Sequence, residues 1–210
     1  MITKPNLTQY DLKVLENIHI RDQVSNDFKT LKHNHGYTLF HLTVTWTKTR
    51  AEENPWSLNR DLNTLYRHHF VKYASGVKRI SKNNRHIQPI FVSFLEEGND
   101  ANKSNHGNCK KLHHHCLIAA KNETAQRLFE MCGTNVVQEM CQRHDEIQKS
   151  SNSFGFKIYK AICSTDLKEI TNDEIQTKYP SKSLYKFDEA YMLKFNYPFD
   201  FLQSSSSMSE

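Results

Sequence analysis

The chain has 210 residues and a net charge of +5 with histidines neutral, a length that suits one domain with extensions. No apolar run approaches the roughly 18 residues a membrane-crossing helix needs, and a mean hydropathy of −0.73 predicts extensive loops and polar surface. The basic balance suits a polyanionic partner, and excludes little else by itself.

The opening residues, Met1-Ile2-Thr3-Lys4-Pro5-Asn6, hold no apolar secretion core, so no membrane partner and a cytoplasmic location are expected. Cys109, Cys116, Cys132, Cys141 and Cys163 are scattered and odd in number, without a C-x-x-C pair. That pattern predicts free thiols in a reducing compartment.

Residues 1–36 are polar with helical spacing: Thr8 can cap, and Leu12, Leu15 and Ile18 follow. They read as an N-terminal helical extension outside the core, closed by the turn His33-Asn34-His35-Gly36. Tyr37–Trp46 is rich in β-branched and aromatic residues at near-alternation, which predicts a strand. After a polar loop, Ser57 can cap a helix whose apolar residues, Leu58, Leu62, Leu65, Tyr66, Phe70, Tyr73, Val77 and Ile80, step by three or four. A basic stretch, Lys78 to His86, leads to a second predicted strand, Ile87–Leu95, ending in Glu96-Glu97-Gly98.

A long polar loop, Asn99 to Cys109, suggests a hairpin into the run Lys110-Lys111-Leu112-His113-His114-His115 and the apolar strand Cys116–Ala120. Asn122 can cap the next helix, with Leu128, Phe129, Cys132, Val136, Met140 and Cys141 as its buried stripe and Gly133 as a weak point. Phe154–Cys163 reads as a fourth strand. Beyond Pro180 a short helix carries Leu184, Phe187, Tyr191 and Phe195, and Ser204–Ser207 opens a low-complexity tail, 204–210, expected to be disordered. The order predicts an α+β fold: a ferredoxin-like split βαββαβ with an antiparallel central sheet, an N-terminal helical extension and a C-terminal tyrosine-bearing helix. The main domain spans 37–203.

On a strand, alternate side chains share a face. His113 and His115 therefore point one way, and His114 the other. Two imidazoles so spaced form a two-nitrogen clamp for a divalent metal. Glu96, which shares a face with Val92 and Phe94, completes a two-histidine, one-carboxylate set if the hairpin register matches; Glu97 is the fallback. Such a set suits Mg²⁺ or Mn²⁺ and leaves coordination positions for substrate. On a helix, Tyr191 and Lys194 would lie on one face. A phenol needs its charge stabilised to act as a nucleophile, and a lysine or a metal can help. No G-x-x-x-x-G-K-[ST] loop occurs, so no ATP-driven motor of that type is expected.

The ordered set — Thr43-Val44-Thr45-Trp46, then His113-His114-His115, then Tyr191-Met192-Leu193-Lys194 — resembles the HUH endonucleases, and among them the rolling-circle replication initiators of plasmids and single-stranded DNA viruses. The resemblance spans about residues 38–197. It departs from the family in His114, where an apolar residue is usual. It implies an HUH endonuclease domain with a metal on His113, His115 and Glu96. Tyr191 would attack a scissile phosphate to form a 5′-phosphotyrosine, with Lys194 orienting the phosphate. It further implies a single-stranded or hairpin origin as substrate, with helicase and polymerase supplied separately. Tyr185 and Tyr197 each lie six residues from Tyr191, off its helical face, so a single-tyrosine enzyme is expected.

Lys78, Arg79, Lys82, Arg85, Lys110 and Lys111 are candidates for contacts to the DNA backbone. Trp46, Trp56 or Phe40 can stack on a base, with core packing as the alternative. Rival assignments are a tyrosine transposase, a relaxase using Tyr10, a non-enzymatic nucleic-acid-binding module, and a zinc site on Cys109, His113, His115 and Cys116.

Overall fold

A computed structural model describes residues 8–47, 55–77, 81–97, 109–136, 161–172, 177 and 192–198. The elements in order are α1 (Gln9–His35), β1 (Thr38–Thr47), α2 (Pro55–Leu65), a π-helical turn (Tyr66–Phe70), α3 (Val71–Ser75), a 3-10 turn (Lys82–Ile87), β2 (Ile90–Glu97), β3 (Cys109–Ala120), α4 (Asn122–Glu130), β4 (Ile162–Glu169) and β5 (Met192–Phe195). The fold is α+β, with one open sheet in the order β4-β1-β3-β2-β5 and every neighbouring pair antiparallel. That arrangement is compatible with a ferredoxin-like fold.

Alternation along β1 divides its side chains cleanly. Phe40, Leu42, Val44 and Trp46 are buried on one face, in a core closed by α2, α3 and α4. Leu39 lies on the other face, where Ile20, Val24, Phe28 and Leu31 of α1 pack on Ile90, Val92, Phe94, Leu117 and Ala119. The expectation that residues 1–36 stand outside the core is thus corrected. The buried stripe of α1 begins at Ile20, whereas Leu12 and Leu15 are exposed. Helical spacing identifies an apolar face but not how much of it the tertiary structure covers.

The central helix begins at Pro55, upstream of Ser57, and stops at Gly76, whose φ of 67° is the left-handed helix-ending conformation. It therefore does not reach Ile80 as its periodicity suggested. Tyr66 and Phe70, four residues apart across the π turn, are both buried against the sheet, where Tyr66 stacks on Phe195 of β5 at 4.3 Å and meets Phe91 of β2 at 4.9 Å. In α4, Lys121 rather than Asn122 holds the N-cap position, and Thr124, Ala125 and Leu128 are buried while Phe129 is exposed. Met140, Cys141 and the residues expected to begin a strand at Phe154 lie outside the described residues.

Two strands depart from their predicted spans. β4 runs Ile162–Glu169, across residues read as loop. It is an edge strand that buries Ile162 and Leu167 and turns Ser164, Asp166 and Lys168 to solvent, so its apolar signal is weak. Met192–Phe195 is likewise a strand, not part of a helix; it pairs with β2 through Phe91↔Phe195 and Val92↔Lys194. Long-range pairing and the Tyr66–Phe195 stack override the local helical spacing. Cys116 and Cys132 are free, but Cys163 is disulfide-bonded, which corrects the expectation of free thiols throughout. No helix among the described residues is long and apolar enough to cross a membrane.

Candidate metal centre

The register of β1, β3 and β2 arranges one face of the sheet in rungs. The first is Leu39–Ala119–Ile90 and the second His41–Leu117–Val92. The third is Thr43–His115–Phe94, and the fourth Thr45–His113–Glu96. Apolar residues dominate the first two rungs, under α1. At the third and fourth the face turns polar. This change along a single face leaves three side chains that could hold a metal ion side by side on hydrogen-bonded strands.

Glu96, opposite His113, is the carboxylate on this face; Glu97 pairs with Leu112, one step out of phase. His115 Nε2 lies 3.2 Å from Glu96 Oε2 and 3.0 Å from His113 Nε2. One donor atom from each of Glu96, His113 and His115 falls within 4.8 Å of the other two. Glu96 and His115 are buried, so a cation there would be held away from bulk water while offsetting the carboxylate charge. Two imidazoles and a carboxylate are a ligand set that leaves coordination positions open, and the residues fit a divalent ion.

The other nitrogen of His115 is also engaged. Its Nδ1 stands 3.0 Å from His41 Nε2 and 3.3 Å from Thr43 Oγ1. The His41 and His115 rings stack at 5.0 Å, 26° from parallel. Burial, and then the charge on His115, pushes the His41 imidazole down to about 4. The only sequence signal for His41 is its even spacing from Thr43 and Thr45 in the first strand.

His114 points away from this centre, as the alternation predicts. It is fully buried in the opposite core. The Trp46 indole N–H donates to His114 Nδ1 at 2.9 Å, so Nε2 carries the imidazole proton and donates to Asn59 Oδ1 at 2.9 Å. Burial, and the neighbouring His113 and His115, push His114 down to about 3. Cys116 is buried in that same core, remote from the histidine pair in facing, which removes it from the zinc alternative.

The remaining predicted site residues are dispersed. Tyr191, Tyr185, Lys78 and Arg79 lie outside the described residues. Lys194 stands opposite Val92 on the second rung, its ammonium 5.9 Å over the Tyr197 ring. Lys194 thus lies on a strand, where it shares a face with Met192, and not on the expected helix. Tyr197 donates to Asp27 of α1 at 2.6 Å. Lys82 and Arg85 occupy the 3-10 turn before β2, and Arg85 donates to Asn196 Oδ1 at 2.8 Å. That turn is at the far end of β2 from Glu96, at least about 20 Å of strand away. Lys110 and Lys111 belong to β3. Trp46 and Phe40 are core residues, whereas Trp56 and Tyr10 are exposed.

No known protein family, curated protein or solved structure matches this chain.

Proposed function

We propose that the chain is an HUH-type endonuclease that nicks and rejoins single-stranded DNA through a tyrosine, initiating rolling-circle replication of a plasmid or virus. The observation that carries this reading is the convergence of Glu96, His113 and His115 on one face of the sheet. The antiparallel sheet, in the order β4-β1-β3-β2-β5, is compatible with the ferredoxin-like fold this reading calls for. Glu96, His113 and His115 would hold a Mg²⁺ or Mn²⁺ ion, which would supply Lewis acidity to a phosphate oxygen.

The nucleophile is Tyr191. Its chain neighbour Met192 pairs with Phe94, two residues before Glu96, and β5 runs away from the triad. The Tyr191 phenolate oxygen attacks phosphorus, the bond from phosphorus to the 3′-oxygen breaks, and that oxygen leaves as a hydroxyl after taking a proton. The 5′-phosphotyrosine conserves the phosphodiester, so the strand can be rejoined without ATP. Origin DNA, single-stranded or as a hairpin, is the substrate; a separate helicase and polymerase extend the reaction. Of Trp46, Trp56 and Phe40, Trp56 is exposed and open to base stacking.

The test is a covalent-adduct assay with a scanned set of single-stranded oligonucleotides and Mn²⁺, the modified residue being mapped by mass spectrometry. The wild-type chain should form an adduct, and Tyr191→Phe should form none. An adduct of undiminished yield in Tyr191→Phe would overturn the nucleophile. Binding without cleavage under either ion would favour a non-enzymatic nucleic-acid module.

A further inference from the structure

We propose that His41 is a positioning residue for the metal centre, accepting the Nδ1 proton of His115 and so fixing which nitrogen of that ligand faces the ion. The inference rests on the metal-centre reading above and adds a residue to it.

The two ring nitrogens of His115 face different partners. His115 turns Nε2 toward Glu96 at 3.2 Å and toward His113 Nε2 at 3.0 Å. A neutral imidazole that gives the Nε2 lone pair to a cation keeps its proton on Nδ1. That proton needs an acceptor, because His115 is buried. Two groups on β1 are within reach: His41 Nε2 at 3.0 Å and Thr43 Oγ1 at 3.3 Å. The imidazole lone pair is closer than the hydroxyl. The stacked His41 ring, 5.0 Å away at 26°, also restricts rotation of His115.

If His41 Nε2–H donated to His115 Nδ1, the His115 proton would sit on Nε2 and occupy the metal position. An ion on Nε2 therefore selects one proton arrangement for the pair: His115 protonated at Nδ1 and His41 at Nδ1, with His41 Nε2 accepting. A hydrogen-bonded partner on the far nitrogen of a ligating histidine orients the ring and raises its basicity. His41 is not itself a ligand of this ion. Its Nε2 addresses the nitrogen of His115 that faces away from Glu96 and His113.

The experiment compares Mn²⁺ affinity, read as free Mn²⁺ by electron paramagnetic resonance, in the wild-type chain, His41→Phe and His41→Gln. Phe keeps an aromatic ring against His115 but has no acceptor; the Gln side-chain oxygen restores one. Metal-free thermal unfolding confirms that each variant is folded. His41→Phe should bind Mn²⁺ about 10-fold more weakly, the low end of such effects, because Thr43 remains as a second acceptor. His41→Gln should recover most of the loss. In the wild type loaded with diamagnetic Mg²⁺, ¹⁵N spectra should show protonated Nδ1 on His115 and unprotonated Nε2 on His41. Equal affinity in His41→Phe, or equal loss in Phe and Gln, overturns the positioning role and leaves the metal centre standing. A wild-type chain that binds no Mn²⁺ overturns both. An intact His41 effect in a chain that cleaves no DNA would overturn only the endonuclease reading.

Discussion

Consecutive side chains of His113-His114-His115 face opposite sides of the sheet, so one tripeptide serves two environments. His113 and His115 meet Glu96, while His114 satisfies the Trp46 indole and Asn59 within the other core. The role of Glu96 is open to a direct check. Glu96→Gln keeps the shape and removes the charge, and should weaken Mn²⁺ binding at least about 10-fold in isothermal titration without unfolding the chain. Unchanged affinity would strike Glu96 from the ligand set. The histidine facing was legible in the sequence because alternation is a local property of any strand. The choice of Glu96 over Glu97 was not, because it depends on register across a long connection.

Among the elements, α1 and β5 differ most from what their sequences suggest. α1 has little amphipathic pattern over its whole length, yet Val24, Phe28 and Leu31 are buried against the sheet. Phe28 is fully buried, and its ring also stacks with Tyr197 at 6.3 Å. Phe28→Ala should cost about 3–5 kcal/mol in urea unfolding. A loss within about 0.5 kcal/mol, as at a surface position, would make α1 a loose appendage after all. β5 is bound from both sides of the sheet: Phe195 stacks on Tyr66, and Met192 belongs to the α1 core. Four residues of strand carry too short a pattern to outvote the helical spacing of Leu184, Phe187, Tyr191 and Phe195. Only the aromatic partners on α2's continuation and β2 reveal the difference.

For the whole molecule, burial of two histidines makes the fold weaker in acid. His114 is pushed down to about 3 and His41 to about 4, in both cases chiefly by burial. Both are lowered from the model-peptide value of about 6.5, so the unfolded chain takes up protons that the fold refuses. Their stabilising effect is complete above pH ~6.5 and is lost as pH falls toward those lowered values. Each group contributes a slope of up to about 1.4 kcal/mol per pH unit in that window. Urea unfolding of the metal-free protein at pH 7, 6, 5 and 4.5 should show the decline, and His114→Gln should flatten it by about one such slope. An unchanged slope in His114→Gln would mean that His114 is charged in the fold. What the sequence determined by itself is local: the alternation of β1 and β3, the facing of the three histidines, the helices after β1 and β3. These follow from backbone periodicity, which needs only near neighbours. The tertiary structure alone decided which acidic residue meets the histidines, which half of α1 is buried, and that His41 stands behind His115. Each of those depends on pairing between residues far apart in the chain, and a one-residue slip in register would have dissolved the whole centre.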